Sequence, residues 1–240
     1  HLGVRRQRQM CIRDSRYVSV ISTGMGTDNI DIVFNELDAL FNLELNTGKP
    51  LKSPTSLTFI RLGTSGTIQA NIELDSLIVA EAAIGFDNLM HYYEPSMCEH
   101  PIAVSLHSKL GMSKNLNHPY YIDGDSILVD DCLKLGMSKG IIVTNPGFYA
   151  PQGRHLRTKN ILPYDLNEFL HFNYKDSIIT NFDMETSGIY GLSHVMGHRA
   201  ISISAILANR FHSTFSNQAD KTVFNMIEKV TNAIKNGFFL

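Results

Sequence analysis

Three polar clusters in this 240-residue sequence combine residue types suited to binding anions and flat heterocycles. The first is RLGTSGTIQ (61–69), where Arg61 stands beside Gly63, Thr64, Ser65 and Gly66. Glycines let backbone N–H groups approach an anion, hydroxyls donate to it, and a guanidinium forks onto phosphate oxygens. An ordinary turn with a surface arginine gives the same pattern, because short Gly-rich turns are common. The second cluster is FYAPQGR (148–154). The Phe148 ring can stack on a planar base, Gln152 offers a donor and an acceptor, and Arg154 offers donors only. That set suits an edge with two carbonyls and one N–H, such as that of uracil. A Pro/Gly loop with exposed polar residues is the plainer account. The third cluster is NFDMETSG (181–188), with two carboxylates, Asp183 and Glu185, where a strand becomes a helix. Acids at a helix N-terminus are favoured by the dipole, so both could be caps. Alternatively, Glu185 accepts hydrogen bonds from a sugar diol.

Each cluster follows a segment that reads as a strand. LTFIRLG (57–63) is predicted to end in the Gly-Thr-Ser-Gly turn. GIIVTN (140–145) leads into the loop PGFYAPQGR (146–154), and ITNFD (179–183) feeds a helix over 184–198. RYVSVIST (16–23) reads as a buried strand closed by Gly-Met-Gly (24–26). That turn could approach a ligand, and a strand-to-helix connection explains it equally well. Asp28 is expected to cap the next helix, with Ile32, Val33, Leu37 and Leu40 on one face. SLIVAEAAI (76–84) and RAISISAILA (199–208) are further strands. SILVDDCLKLG (126–136) is a helix stopped by Gly136, and the last helix runs from about Lys221 to Lys235. Residues 91–125 are rich in Pro, His, Tyr and Asn, and part of this stretch is expected to be an insertion or lid. His91, Tyr92 and Tyr93 within it fit a lid or an interface equally. With no internal repeat or linker, the alternation indicates a single α/β domain with a mixed central β-sheet flanked by helices. Loops beyond the carboxyl ends of its strands build the site.

Composition narrows the function classes. With 43% hydrophobic and 18% charged residues the chain is globular. A net charge of −2 gives no reason to expect a nucleic-acid partner. No apolar run approaches the roughly 20 residues of a membrane helix. Cys11, Cys98 and Cys132 lack metal or disulfide spacing and read as free thiols in a reducing, cytoplasmic setting. His194 and His198 are four apart, yet the Glu of the zinc-protease motif is missing between them, so no metal is expected. Residues 1–15 stand apart. QMCIRDS (9–15) is what a transposon end used in sequencing libraries would encode, so this stretch is expected to be translated adapter or a disordered basic tail. On that expectation the natural gene begins upstream, and residues 16–240 are a domain lacking its N-terminal part.

Taken together, in this order and spacing, the three clusters resemble the nucleoside phosphorylase family that contains uridine phosphorylase and the hexameric purine nucleoside phosphorylases. The resemblance covers most of the chain from Arg16 onward and implies that family's fold. It implies that Arg61, Gly63 and Thr64 bind phosphate, and that Thr64, Met184 and Glu185 bind ribose. Phe148, Gln152 and Arg154 are similar to the base-recognition set of the uridine branch. AILANR (205–210) resembles that branch too, with Leu207 and Ala208 lining the base pocket and Arg210 near a base carbonyl. Purine enzymes carry an aspartate beside the position of Asn209 to protonate the purine, and none is present here. The implied reaction is phosphorolysis of a pyrimidine nucleoside, uridine plus phosphate giving uracil and ribose 1-phosphate, with Arg61, Gln152, Arg154 and Glu185 carrying it. The family also has a Gly-Asp-Pro phosphate loop, and an arginine and a histidine lent across a dimer interface, that have no counterpart here. Nucleoside and inorganic phosphate are the expected ligands, a homo-oligomer (dimer or hexamer) the expected assembly, and no organic cofactor is implied. A monovalent cation near Met25 and Asn29 is an added expectation. A purine phosphorylase, a hydrolytic nucleosidase and a non-catalytic nucleoside-binding protein are the alternatives.

Overall fold

The structure, a computed structural model, describes residues 8–12, 16–112, 118–160, 166–174 and 177–239. Strand β1 (Arg8–Ile12) pairs antiparallel with β2 (Arg16–Val20) in a two-stranded sheet of their own. The rest of residues 1–15 lies outside the described residues. The RYVSVIST segment was expected to be buried, and the structure corrects this. Among the described residues it pairs only with β1, and Ser19 and Val20 are exposed, Val20 to 60%.

Helix α1 (Thr27–Asn42) follows, then the short hairpin β3 (Leu43–Glu44) and β4 (Lys49–Pro50). The remaining elements are β5 (Thr58–Thr67), β6 (Leu77–Gly85), α2 (Pro101–Lys109), β7 (Tyr120–Asp123), α3 (Ser126–Lys134), β8 (Ser138–Thr144), α4 (Asn167–Leu170), β9 (Asn173–Tyr174), β10 (Ser177–Asp183), α5 (Thr186–Met196), β11 (Arg199–Asn209), β12 (Thr214–Phe215) and α6 (Ala219–Lys235). The central sheet runs β12-β11-β5-β10-β8-β6-β7, with β9 added beside β10. β11 also pairs antiparallel with β6, so the path from β11 through β5, β10, β8 and β6 closes on itself. Closure removes sheet edges and is eased by bulges. Register slips occur at Ala80/Ala82, Ile179/Asn181 and Ile206/Ala208. Helices pack outside this ring in pairs. Ile30 and Phe34 of α1 meet Ile189 and Leu192 of α5; Leu106 of α2 and Phe169 of α4 share a second cluster; Leu128 of α3 and Val230 of α6 share a third. The expected single α/β domain with a mixed sheet flanked by helices is what the chain forms.

Several local expectations change. β5 does not stop at Gly63. Its parallel ladder with β11 continues from Thr58↔Arg199 to Thr67↔Asn209, so the Gly-Thr-Ser-Gly stretch is strand, not turn. Helix α1 is capped by Gly26, whose φ of 91° favours glycine, and Asp28 makes no capping bond. Its buried residues include Ile30, Val33 and Phe34, while Ile32 and Leu40 are 45% and 55% exposed. Over their described length residues 91–125 form regular elements. They continue the 3-10 turn at Leu89–Tyr92, form another at Pro95–Glu99, build α2, and add β7 to the edge of β6. Residues 113–117 lie outside the described residues. Tyr93 donates to Asp31 of α1 at 2.5 Å, which ties this region to the core layer, and Tyr92 is 87% exposed.

Candidate active site

The carboxyl end of β10 and the start of α5 hold two carboxylates with different jobs. Asp183 accepts from the backbone N–H of Thr186 at 3.1 Å and from the Thr186 hydroxyl, so it caps the helix. The hydroxyl of Thr144, at the end of β8, donates to its other oxygen at 2.7 Å. Glu185 makes no capping bond. Its carboxylate turns toward β5, where Arg61 Nη2 donates to Oε2 at 2.6 Å, and the Gly26 N–H donates to Oε1 at 2.8 Å. Of the two acids, then, only Asp183 takes the capping role that was open to both.

Arg61 leaves the middle of β5 and lies across Gly63. A Cβ on Gly63 would stand 2.2 Å from Arg61 Nη1. Nη2 also lies 3.5 Å from Asp183 Oδ2, and Nη1 reaches Ser202 Oγ of β11 at 3.4 Å. Burial works against the guanidinium charge, but the carboxylates of Asp183 and Glu185 outweigh it, and the pKa stands above the ordinary arginine value. Thr64 is exposed and stands three residues along β5 from Arg61. Met184 is half-buried between the two acids.

The second cluster gathers around Gln152, which is buried at the end of a 3-10 turn, Ala150–Gln152. Arg154 Nη1 donates to Gln152 Oε1 at 2.5 Å and to the Phe148 carbonyl at 2.8 Å, and its guanidinium lies 4.0 Å from the Phe148 ring centre. Arg210 Nη2 donates to the Gln152 carbonyl at 2.5 Å, with its guanidinium 5.2 Å from the Phe182 ring centre. Burial, then the neighbouring charge of Arg154, lowers the Arg210 pKa to about 10. Burial lowers that of Arg154 as well. Neither arginine pairs with a carboxylate among the described residues, and Arg210 Nη1 is buried without a hydrogen-bond partner. A cavity of about 390 Å³ opens beside Arg210, walled by Ile68, Leu170, Phe182 and Phe211. Leu207 is the extra residue of the bulge in β11, and Ala208 pairs with Gly66. The last two residues of β10 serve both clusters: Asp183 touches Arg61, and Phe182 lies beneath Arg210.

Comparison with known proteins decides what frame these clusters occupy. A family model described as the phosphorylase superfamily matches residues 5–236. The chain belongs to the phosphorylase superfamily. A uridine phosphorylase of Thermococcus kodakarensis is 28% identical over 207 residues, which are 85% of this chain and 62% of that protein. This phosphorylase-superfamily chain thus spans less than two thirds of that relative. A DeoD-type purine nucleoside phosphorylase of Buchnera aphidicola is 24% identical over 192 residues, 80% of this chain and 63% of the relative. Among solved structures, the chain superposes on a Trypanosoma brucei nucleoside phosphorylase, described as showing uridine phosphorylase activity, with a TM-score of 0.78. That match is 24% identical and covers 91% of this chain and 80% of the other, which supports the shared fold.

Within this superfamily frame, sequence reasoning located Arg61, Glu185, Phe148, Gln152, Arg154 and Arg210, and the structure joins them into two contacting groups. It missed the partners. Ser202 had a signal, a polar residue in the otherwise apolar RAISISAILA. Gly26 had one in the Gly-Met-Gly turn. Asn209 is buried and fully engaged, donating to the carbonyls of Gln69 and Ile72 at 3.1 and 3.0 Å and accepting from His212 N–H at 3.0 Å. His194 is exposed on α5, whereas His198 lies past the helix end with its ring buried. Asn29 donates to the Met25 carbonyl at 2.6 Å.

Proposed function

We propose that this chain is the body of a nucleoside phosphorylase that cleaves a pyrimidine nucleoside with inorganic phosphate. The observation that carries the reading is the contact between Arg61 and Glu185 at 2.6 Å. A reaction that joins phosphate to the anomeric carbon needs an anion-binding group and a diol-accepting carboxylate side by side. Arg61, Gly63 and Thr64 would hold phosphate, and Glu185 with Met184 and Thr64 would hold the ribose. Phosphate attacks the anomeric carbon as the glycosidic bond loosens, and the enzyme aligns the two. Gln152 and Arg154 would stabilise charge growing on the leaving base, with Arg210 near a carbonyl and Leu207 and Ala208 along the ring. Arg154 and Arg210, which have no carboxylate partner among the described residues, favour a base that leaves as an anion. Asn209 is committed to backbone contacts and is no acid, which favours a pyrimidine over a purine. The names of the archaeal relative and of the trypanosome structure support uridine. A cytoplasmic homo-oligomer, with a monovalent cation near the Met25 carbonyl, belongs to the same proposal.

The test is uracil release from uridine with and without phosphate, by this chain and by an N-terminally extended form carrying the family's Gly-Asp-Pro loop. Phosphate-dependent release is expected, at least from the extended form. Release independent of phosphate would make the protein a nucleosidase. Uridine binding without release from either form would make it a binding protein.

A further inference from the structure

Around Arg61 the charges do not balance in favour of an incoming anion. One guanidinium faces two carboxylates, Glu185 at 2.6 Å and Asp183 at 3.5 Å. Its Nη1 side is turned to Ser202, and its flat face lies on Gly63. Asp183 is also engaged by Thr144 and Thr186, so it has no freedom to leave. Among the described residues the Glu185 carboxylate has one other partner, the Gly26 N–H, on its second oxygen. A phosphate approaching Arg61 therefore meets a site already occupied by the Glu185 Oε2 atom.

We infer that Glu185 is an internal counter-anion that competes with phosphate for Arg61, so that phosphate must displace it and thereby frees the carboxylate oxygen for the sugar hydroxyls. The inference rests on reading Arg61 as the phosphate ligand and Glu185 as the ribose ligand. It adds a direction to their relation. In the unliganded chain the Arg61–Glu185 contact opposes the first ligand, and its rupture prepares the site for the second. Phosphate and nucleoside then bind with positive coupling, because each relieves the same contact, and coupling between sites is reciprocal. A carboxylate that merely bound ribose would leave phosphate affinity untouched.

The experiment is calorimetric titration of inorganic phosphate, without nucleoside, into the chain and into Glu185→Gln. The amide keeps one acceptor for the Gly26 N–H and presents no charge to Arg61. Phosphate is expected to bind about tenfold more tightly to Glu185→Gln, within the range typical of coupled sites. Uracil release should fall in the same variant, and Arg61→Ala should abolish the gain. If Glu185→Gln does not melt cooperatively, Glu185→Asp retracts the carboxylate by one methylene, and a smaller gain of the same sign is expected. Unchanged or weaker phosphate binding in the variant, with phosphate-dependent uracil release by the unaltered chain, overturns the inference and leaves the phosphorolytic reading standing. A gain in affinity without phosphate-dependent release does the reverse. No phosphate binding by the chain, by Glu185→Gln or by the N-terminally extended form overturns both.

Discussion

A methyl group on Gly63 would place its Cβ within 2.2 Å of Arg61 Nη1 and 2.6 Å of Cζ. The backbone there is ordinary strand and the nearest atoms all belong to the Arg61 guanidinium, which has to move off Glu185 and Ser202. Gly63→Ala is expected to lower kcat/KM for uridine about 10- to 100-fold, the scale of one charge-assisted contact. The same change made in Arg61→Ala should cost little more, because the atom it clashes with is gone. A double-mutant cycle on turnover reads this directly. Arg154 makes a different prediction. Its hydrogen bonds and ring contact go to Gln152 and Phe148, away from the Arg61 cluster. Arg154→Ala should lower turnover about 100- to 1,000-fold, the usual cost of losing a donor to developing charge. The KM for phosphate should move little, and equal losses in both parameters would contradict its assignment to the base.

The element that unites the Arg61 cluster is α5, held at its first turn by buried hydroxyls. Thr144 donates to Asp183 Oδ1 at 2.7 Å and accepts from the Ser187 N–H at 3.0 Å. Ser187 in turn donates to Asp87 at 2.7 Å, and Tyr120 donates to the same carboxylate at 2.8 Å. Asp87 is raised above the ordinary carboxylate pKa by burial, against these hydrogen bonds. Thr144→Val keeps the shape and removes the link, leaving a buried N–H and a carboxylate oxygen without a partner. It should cost about 1–3 kcal/mol of stability, seen as a lower denaturant midpoint at unchanged slope. Elements of this kind also mark what the sequence could and could not tell. β6, β8, β10 and β11 were legible because their apolar, β-branched runs are long and bounded by turn residues. β5 was read four residues short, because two glycines signal a turn locally while β11 supplies ladder partners from 141 or 142 positions away. The α1 face was read half correctly: Val33 is buried and Leu37 packs on the core, while Ile32 and Leu40 stay exposed and Ile30 and Phe34 take their place. At the site, the charged and aromatic residues announced themselves, whereas Ser202 and Gly26 carried only weak local signals and Thr144 none, because their partners lie far away in the chain.

At the scale of the whole molecule, His198 joins three parts of the chain. Its Nδ1 accepts from the Leu57 N–H at 3.2 Å, just before β5, and its Nε2 lies 3.2 Å from Asp38 of α1 without the geometry of a hydrogen bond. The ring also packs edge-on to Phe59. Burial lowers the His198 pKa, and the Asp38 charge offsets only part of that. The unfolded chain, with a histidine pKa near about 6.5, then binds the proton more readily than the folded one. The contribution of this ring to stability is complete above that value and is lost as pH falls through the lower folded pKa. Melting temperatures measured from pH 8 to pH 5 should therefore drop more steeply for the unaltered chain than for His198→Asn, whose side-chain oxygen still accepts from Leu57. Parallel curves would remove His198 from the account. No helix among the described residues is long and apolar enough to cross a membrane.

The pairing of β5 with β11 has a consequence in time. Arg61 and Ser202 are 141 residues apart in the chain. At a synthesis rate of about 5–20 residues per second, Arg61 leaves the ribosome roughly 7 to 30 s before the strand that must lie beside it. During that interval β5 lacks its ladder with β11, and its guanidinium lacks every carboxylate and hydroxyl that later holds it. The ring of strands cannot close from its N-terminal side, so the nascent protein has to keep an apolar strand from finding another partner until its last quarter arrives.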